Sequence, residues 1–165
     1  MVDQSSSASV PAKTLPGQGL NIAFTVLSFL GASVAGALWL AHAHSLNLPC
    51  TANGDCEDDW NSAYGYVDLI FWHQVPVALT GLIAYIVLLT IGMAKYGAES
   101  VQVRRALAAT GTSVALFGCL YSWYLQYAAI FKLGHFCPWC FSSAVIITSI
   151  VVVSIVELRK LVRKQ

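Results

Sequence analysis

The chain has 165 residues, 57% of them hydrophobic and 10% charged, with a formal net charge of +1. A soluble domain carries about 25% charged residues, so a water-facing globular protein is excluded. The near-zero charge also gives no basic surface for nucleic acid, and the length allows one domain. A membrane protein is expected.

Residues 1–19 hold three consecutive serines, Pro11, Pro16, Gly17 and Gly19 and no apolar pattern. They read as a disordered tail. Four apolar runs then follow, at about 20–43, 75–94, 106–130 and 136–156, each near the roughly 20 residues that cross a bilayer as a helix. None contains Asp, Glu, Lys or Arg, so no intramembrane relay of carboxylates is expected. The predicted architecture is an all-α bundle of four transmembrane helices over 20–156, followed by a basic tail over 157–165. Ala41-His42-Ala43 resembles a signal-peptide cleavage site. However, the run before it exceeds the usual h-region of about 7–15 residues, so an uncleaved first helix is favoured.

Basic residues set the orientation. Lys13 precedes the first run, Lys95, Arg104 and Arg105 lie between the second and third, and Arg159, Lys160, Arg163 and Lys164 follow the fourth. The connection at 44–74 has no Lys or Arg but carries Asp55, Glu57, Asp58, Asp59 and Asp68. The connection before the fourth run carries Lys132 alone. Both termini are therefore expected in the cytoplasm.

That orientation puts four of the five cysteines on the outer side: Cys50 and Cys56 in the long loop, Cys137 and Cys140 at the entry to the fourth helix. Disulfides form and persist there. Cys119 falls mid-helix and reads as a small buried hydrophobe. In GHFCPWCFSS, Pro138 suits the first helical turn. Cys137 is then placed near the N-cap and Cys140 within the first turn, where the helix dipole favours the thiolate that exchanges disulfides. A purely structural disulfide and a zinc site are the competing readings. Zinc wants four N or S ligands, and a Cys-x5-Cys beside a Cys-x-x-Cys is an unusual spacing for it, so no metal is expected. His42, His44, His73 and His135 read as interfacial. The loop pair encloses Asn53-Gly54, a strong turn signal, and four outer cysteines allow three pairings.

A membrane-embedded dithiol needs a lipid-soluble redox partner, and a quinone fits. The outer half of the third run, CLYSWYLQYAAIF, supplies aromatic residues at the depth of Cys140. Tyr121, Tyr124 and Phe131 are the candidate quinone contacts, although an aromatic belt at the membrane interface produces the same composition.

The order of parts resembles the vitamin K epoxide reductase family. The resemblance is carried by Cys50-x5-Cys56, the following Asn61-Ser62-Ala63-Tyr64-Gly65, VPVALTGLIAY opening the second helix and FCPWC opening the fourth. The DsbB family shares four helices, two cysteine pairs and a quinone, but places its Cys-x-x-Cys in the first outer loop. The resemblance implies that Cys137 and Cys140 are the active-site pair, with Cys140 nearest the quinone (ubiquinone or menaquinone). It implies that Cys50 and Cys56 shuttle electrons from a partner, Cys56 meeting it first, and that Ser62 lies in a segment packed over the site. In prokaryotic members the partner is a thioredoxin-like, DsbA-like catalyst of disulfide formation. Because this chain ends without a fused thioredoxin-like domain, its partner is expected to be a separate protein, in a prokaryotic cytoplasmic membrane with its quinone pool. Animal members carry an Asn near the start of helix 2 and a Tyr one turn after the second active-site Cys; the matching places here read Val77 and Ala144. An epoxide or quinone reductase of an internal membrane, or a non-enzymatic scaffold stapled by disulfides, are the alternatives.

Overall fold

The computed structural model describes residues 18–44, 66–67, 75–134 and 136–163. The N-terminal tail, Cys50, Cys56, Ser62, His73 and His135 lie outside the described residues.

Four long helices run antiparallel in sequence order. They are α1 (Gln18–His44), α2 (Val77–Gly97), α3 (Val101–Ala128) and α4 (Pro138–Val162), each long and apolar enough to cross a membrane. A backbone that satisfies its own polar groups within one segment is what lipid demands. Hydroxyls inside the spans follow the same rule by bonding back along their own helix. Ser28 donates to the Phe24 carbonyl at 2.8 Å and Ser154 to the Ile150 carbonyl at 2.7 Å. Before α2, a short antiparallel pairing of β1 (Tyr66–Val67) with β2 (Val75–Pro76) returns the chain to the bundle.

Packing between helices uses small residues, which let backbones approach closely. Gly31 of α1 lies under the ring of Tyr85 on α2, and a Cβ there would collide with that ring. Gly92 of α2 faces Thr25 and Phe24 of α1, and Gly111 of α3 faces Ile91 and Phe24. Around them Phe24, Leu88, Ala115, Ile147 and Ile150 form the core.

The helices extend past the apolar runs, and the extensions carry charge. Lys95 in α2 and Glu157 in α4 are 2% and 1% exposed and pair at 2.8 Å. The Lys95 ammonium also stands 3.9 Å from the centroid of the Phe24 ring. Nearby, the Arg105 guanidinium donates to the Leu161 carbonyl at 2.7 and 3.2 Å. The Asn21 amide donates to the Gly92 carbonyl at 3.2 Å. Residues 157–162, expected as a basic tail, are thus the last turns of α4, held by the buried Lys95–Glu157 pair and the Arg105 contact to Leu161, while Arg159 and Lys160 stay exposed. Likewise α1 begins at Gln18, inside the stretch expected to be a tail. Lys95, Arg104, Arg105, Arg159 and Lys160 thus lie at one end of the bundle; Cys137, Cys140, His42 and the single lysine Lys132 lie at the other.

Candidate active site

The approach to α4 is shaped by a backbone reversal. After Ala128 the third helix widens into a π-turn over Ala129–Leu133, closed by Gly134 at φ 74°, whose N–H reaches the Ala129 carbonyl. A left-handed residue at that point suits glycine, which has no Cβ to clash. Four residues further on, at Pro138, the chain enters α4.

Cys137 is the N-cap of α4 and Pro138 occupies the first turn. The proline's missing N–H is one that a helix start leaves unbonded in any case. The Cys137 sulfur accepts a hydrogen bond from the Cys140 backbone N–H at 3.3 Å. The first helical bond runs from the Phe141 N–H to the Cys137 carbonyl at 3.0 Å. Negative charge developing on the Cys137 sulfur would therefore meet a backbone donor at the positive end of a helix dipole. The two cysteines differ in access. Cys137 is fully buried, whereas Cys140 is half-buried and lines a cavity.

That cavity, about 240 Å³, is bounded by all four helices. From α4 it takes Cys140, Ser143 and Ile147, at the three- and four-residue spacing of one helix face. From α3 it takes Gly118, Tyr121, Leu125 and Gln126; Val77 and Tyr85 of α2 and Leu38 and His42 of α1 complete the walls. Tyr85 ties the wall together: its hydroxyl lies 3.0 Å from both the carbonyl and the hydroxyl of Ser143. His42 at the outer rim stands 3.5 Å from the Tyr66 hydroxyl, so the strand pair closes over this end of α1.

The expected quinone contacts divide. Tyr121 lines the cavity. Tyr124 and Phe131 point outward, 56% and 71% exposed, and Phe131 stacks on Tyr127 with centroids 4.8 Å apart. Trp123 and Phe136 flank Phe141 in the same outward band. An aromatic band at this depth is the usual interfacial anchor of a membrane helix. The cavity-facing stripe of α3 runs through Gly118, Tyr121, Ser122, Leu125 and Gln126; Tyr124 falls just beyond its edge, so one tyrosine of the run reaches the cavity and the next does not. Cys119 stays out of the cavity, with its sulfur 3.4 Å from the Thr148 hydroxyl, which also accepts from the Trp123 indole at 3.0 Å. Val77, at the start of α2, presents only an apolar surface to the cavity, and Ala144 is fully buried behind Cys140.

Reasoning from sequence passed over Tyr85 and Gln126 and read His42 only as interfacial. Gln126 carried a usable signal: Asn21 and Gln126 are the two amides within the apolar runs, and a polar residue inside a membrane is a functional candidate. Its side chain is 4% exposed, and neither its nitrogen nor its oxygen has a hydrogen-bond partner. Apolar walls, a thiol-bearing edge and an unmatched amide suit a planar ring with polar carbonyls. The volume lies just below the about 300–1,000 Å³ of small-molecule pockets, which suits a headgroup whose tail runs out between helices.

Cys137 and Cys140 thus stand at the start of α4 beside an apolar cavity bounded by all four helices, each long and apolar enough to cross a membrane. The model of the vitamin K epoxide reductase family matches residues 22–155, and the chain belongs to that family. Members use quinones and thioredoxin-like partners in membrane redox chemistry, as quinone or epoxide reductases or in disulfide formation. No curated protein matches the chain.

Proposed function

We propose that this protein is a quinone-linked thiol oxidoreductase that reoxidises a separate thioredoxin-like protein and so drives disulfide formation. The observation that carries the reading is the asymmetry of the pair: Cys140 lines the apolar cavity while Cys137 is buried beside it at the N-cap. One thiol is available to a lipid-soluble acceptor and the other to exchange.

The electron path starts at the partner's dithiol, which reduces Cys50–Cys56 through Cys56. The Cys50 thiolate then attacks the Cys137 sulfur of the Cys137–Cys140 disulfide, and Cys140 leaves as thiolate. Attack by Cys56 on Cys50 releases Cys137 and restores the loop disulfide. Two electrons have now moved to Cys137 and Cys140. A bound quinone supplies a two-electron, two-proton acceptor, so two thiols and one quinone become one disulfide and one hydroquinone. Cys140 faces that acceptor, the Cys140 N–H steadies charge on Cys137, and Tyr121 and the apolar walls hold the ring and exclude water. A partner as oxidising as DsbA, near roughly −120 mV, needs such an acceptor.

The placement of basic residues at the end opposite Cys137 supports an orientation with both termini in the cytoplasm and the cysteines outside, in a prokaryotic cytoplasmic membrane. Ubiquinone and menaquinone are the natural acceptors there. Ser62 is proposed to pack over the site from the loop. Val77 on the cavity wall and the buried Ala144 offer no polar side chain where animal members carry Asn and Tyr, which favours quinone reduction over epoxide reduction.

The test is steady-state reduction of a soluble quinone by a reduced thioredoxin-like dithiol, with the protein in detergent or lipid. Cys140→Ser is expected to abolish turnover with every thiol donor. Cys56→Ser is expected to abolish it with the protein donor alone, leaving a small dithiol as a working substrate. Full turnover by Cys140→Ser would remove the proposal.

A further inference from the structure

We propose that the side-chain amide of Gln126 is the polar anchor of the quinone headgroup, donating a hydrogen bond from Nε2 to one ring carbonyl. This rests on the quinone reading above. Gln126 lies on the cavity wall, 4% exposed, with both amide atoms unpartnered. Leaving such a group unmatched is costly, and buried polar groups are otherwise bonded in folded proteins. The other buried polar groups of the wall are matched. Tyr85 bonds Ser143, and Thr80 donates to the Pro76 carbonyl at 3.4 Å. Among the wall residues, Gln126 is the one whose side-chain polar atoms are fully buried without a partner.

Its depth agrees with the chemistry. Gly118 of α3 packs against Ile147 of α4, which fixes a common level in the two antiparallel helices. Counting outward at 1.5 Å per residue, Gln126 lies about 12 Å above that level and Cys140 about 10 Å above it. The amide and the sulfur thus face the cavity at nearly the same height. An amide also suits both redox forms of the ligand: its N–H₂ donates to a carbonyl, and its C=O accepts from the hydroxyl formed on reduction. A carboxylate would repel electron density on the ring oxygens, and a lysine could not accept.

The experiment uses the full chain in lipid nanodiscs with ubiquinone-1 and menadione, each ¹³C-labelled at the carbonyls, and reads infrared carbonyl frequencies alongside equilibrium binding. In the wild type, one carbonyl band of the bound oxidised quinone is expected below its position in protein-free lipid. In the near-isosteric Gln126→Met variant that band returns to the lipid position. Binding there weakens roughly 3- to 10-fold, the loss of one neutral hydrogen bond, while quinone-free thermal stability is held or raised. Gln126→His, which keeps a donor, restores part of the shift. Should Gln126→Met fail to fold, the wild-type spectrum still decides, because two unshifted carbonyls overturn the assignment. Unchanged binding and an unchanged band in Gln126→Met overturn it too and leave the quinone reading standing. A wild type that binds neither quinone removes both.

Discussion

The hydroxyl of Tyr85 in α2 lies 3.0 Å from the carbonyl and 3.0 Å from the hydroxyl of Ser143, three residues past Cys140 in α4. This contact joins two helices across the cavity wall, one turn of α4 past Cys140. Tyr85→Phe keeps the ring and removes the bond. Interhelical hydrogen bonds in membranes are worth about 0.6 kcal/mol on average and up to roughly 1.7, so a loss of stability in that range is expected in reversible unfolding from detergent. A Tyr85→Phe protein as stable as the wild type would show that the ring alone positions α4.

Gly31 is the partner of that ring on α1. A methyl group added there collides with Tyr85, whereas one added at Gly36 meets only the Leu82 methyl at an ordinary 3.7 Å. Gly31→Ala should therefore cost about 1–3 kcal/mol, the usual penalty of overpacking, and Gly36→Ala should be nearly neutral. Comparing the two unfolding curves checks this, and equal stabilities would contradict the close α1–α2 contact.

At the opposite end, Lys95 and Glu157 are a buried ion pair at 2.8 Å, while the second carboxylate oxygen of Glu157 has no partner. Removing one member strands the other charge. Lys95→Met alone should cost about 3–5 kcal/mol, and the double replacement Lys95→Met with Glu157→Leu should recover most of it. A double-mutant cycle on unfolding free energy measures the coupling; additive losses would contradict the pairing.

Much of this was legible in the sequence because lipid imposes strong rules. Four apolar runs could only be helices, and Pro138 between two cysteines placed Cys137 at the N-cap, where it is found. The ends were less legible. Lys95 and Glu157 looked like the limits of their spans, but charges 62 residues apart in sequence neutralise each other and extend both helices into the packed bundle. The cavity wall was half legible. An aromatic run does not reveal which rings turn inward, so Tyr124 and Phe131 read the same as Tyr121 until α3 was set against its neighbours. Gln126 was visible as an oddity, but only burial together with an unmatched amide gives it meaning.

The most direct measurement of the central claim is a single turnover without oxygen. A variant with Cys50, Cys56 and Cys119 replaced by serine keeps only Cys137 and Cys140. Reduced, it is mixed with a short-chain quinone, and hydroquinone formed, thiols lost and the cross-linked peptide are counted together. The account predicts one hydroquinone per chain, two thiols lost and a disulfide between Cys137 and Cys140. A folded, quinone-bound protein that keeps both thiols and forms no hydroquinone would contradict it.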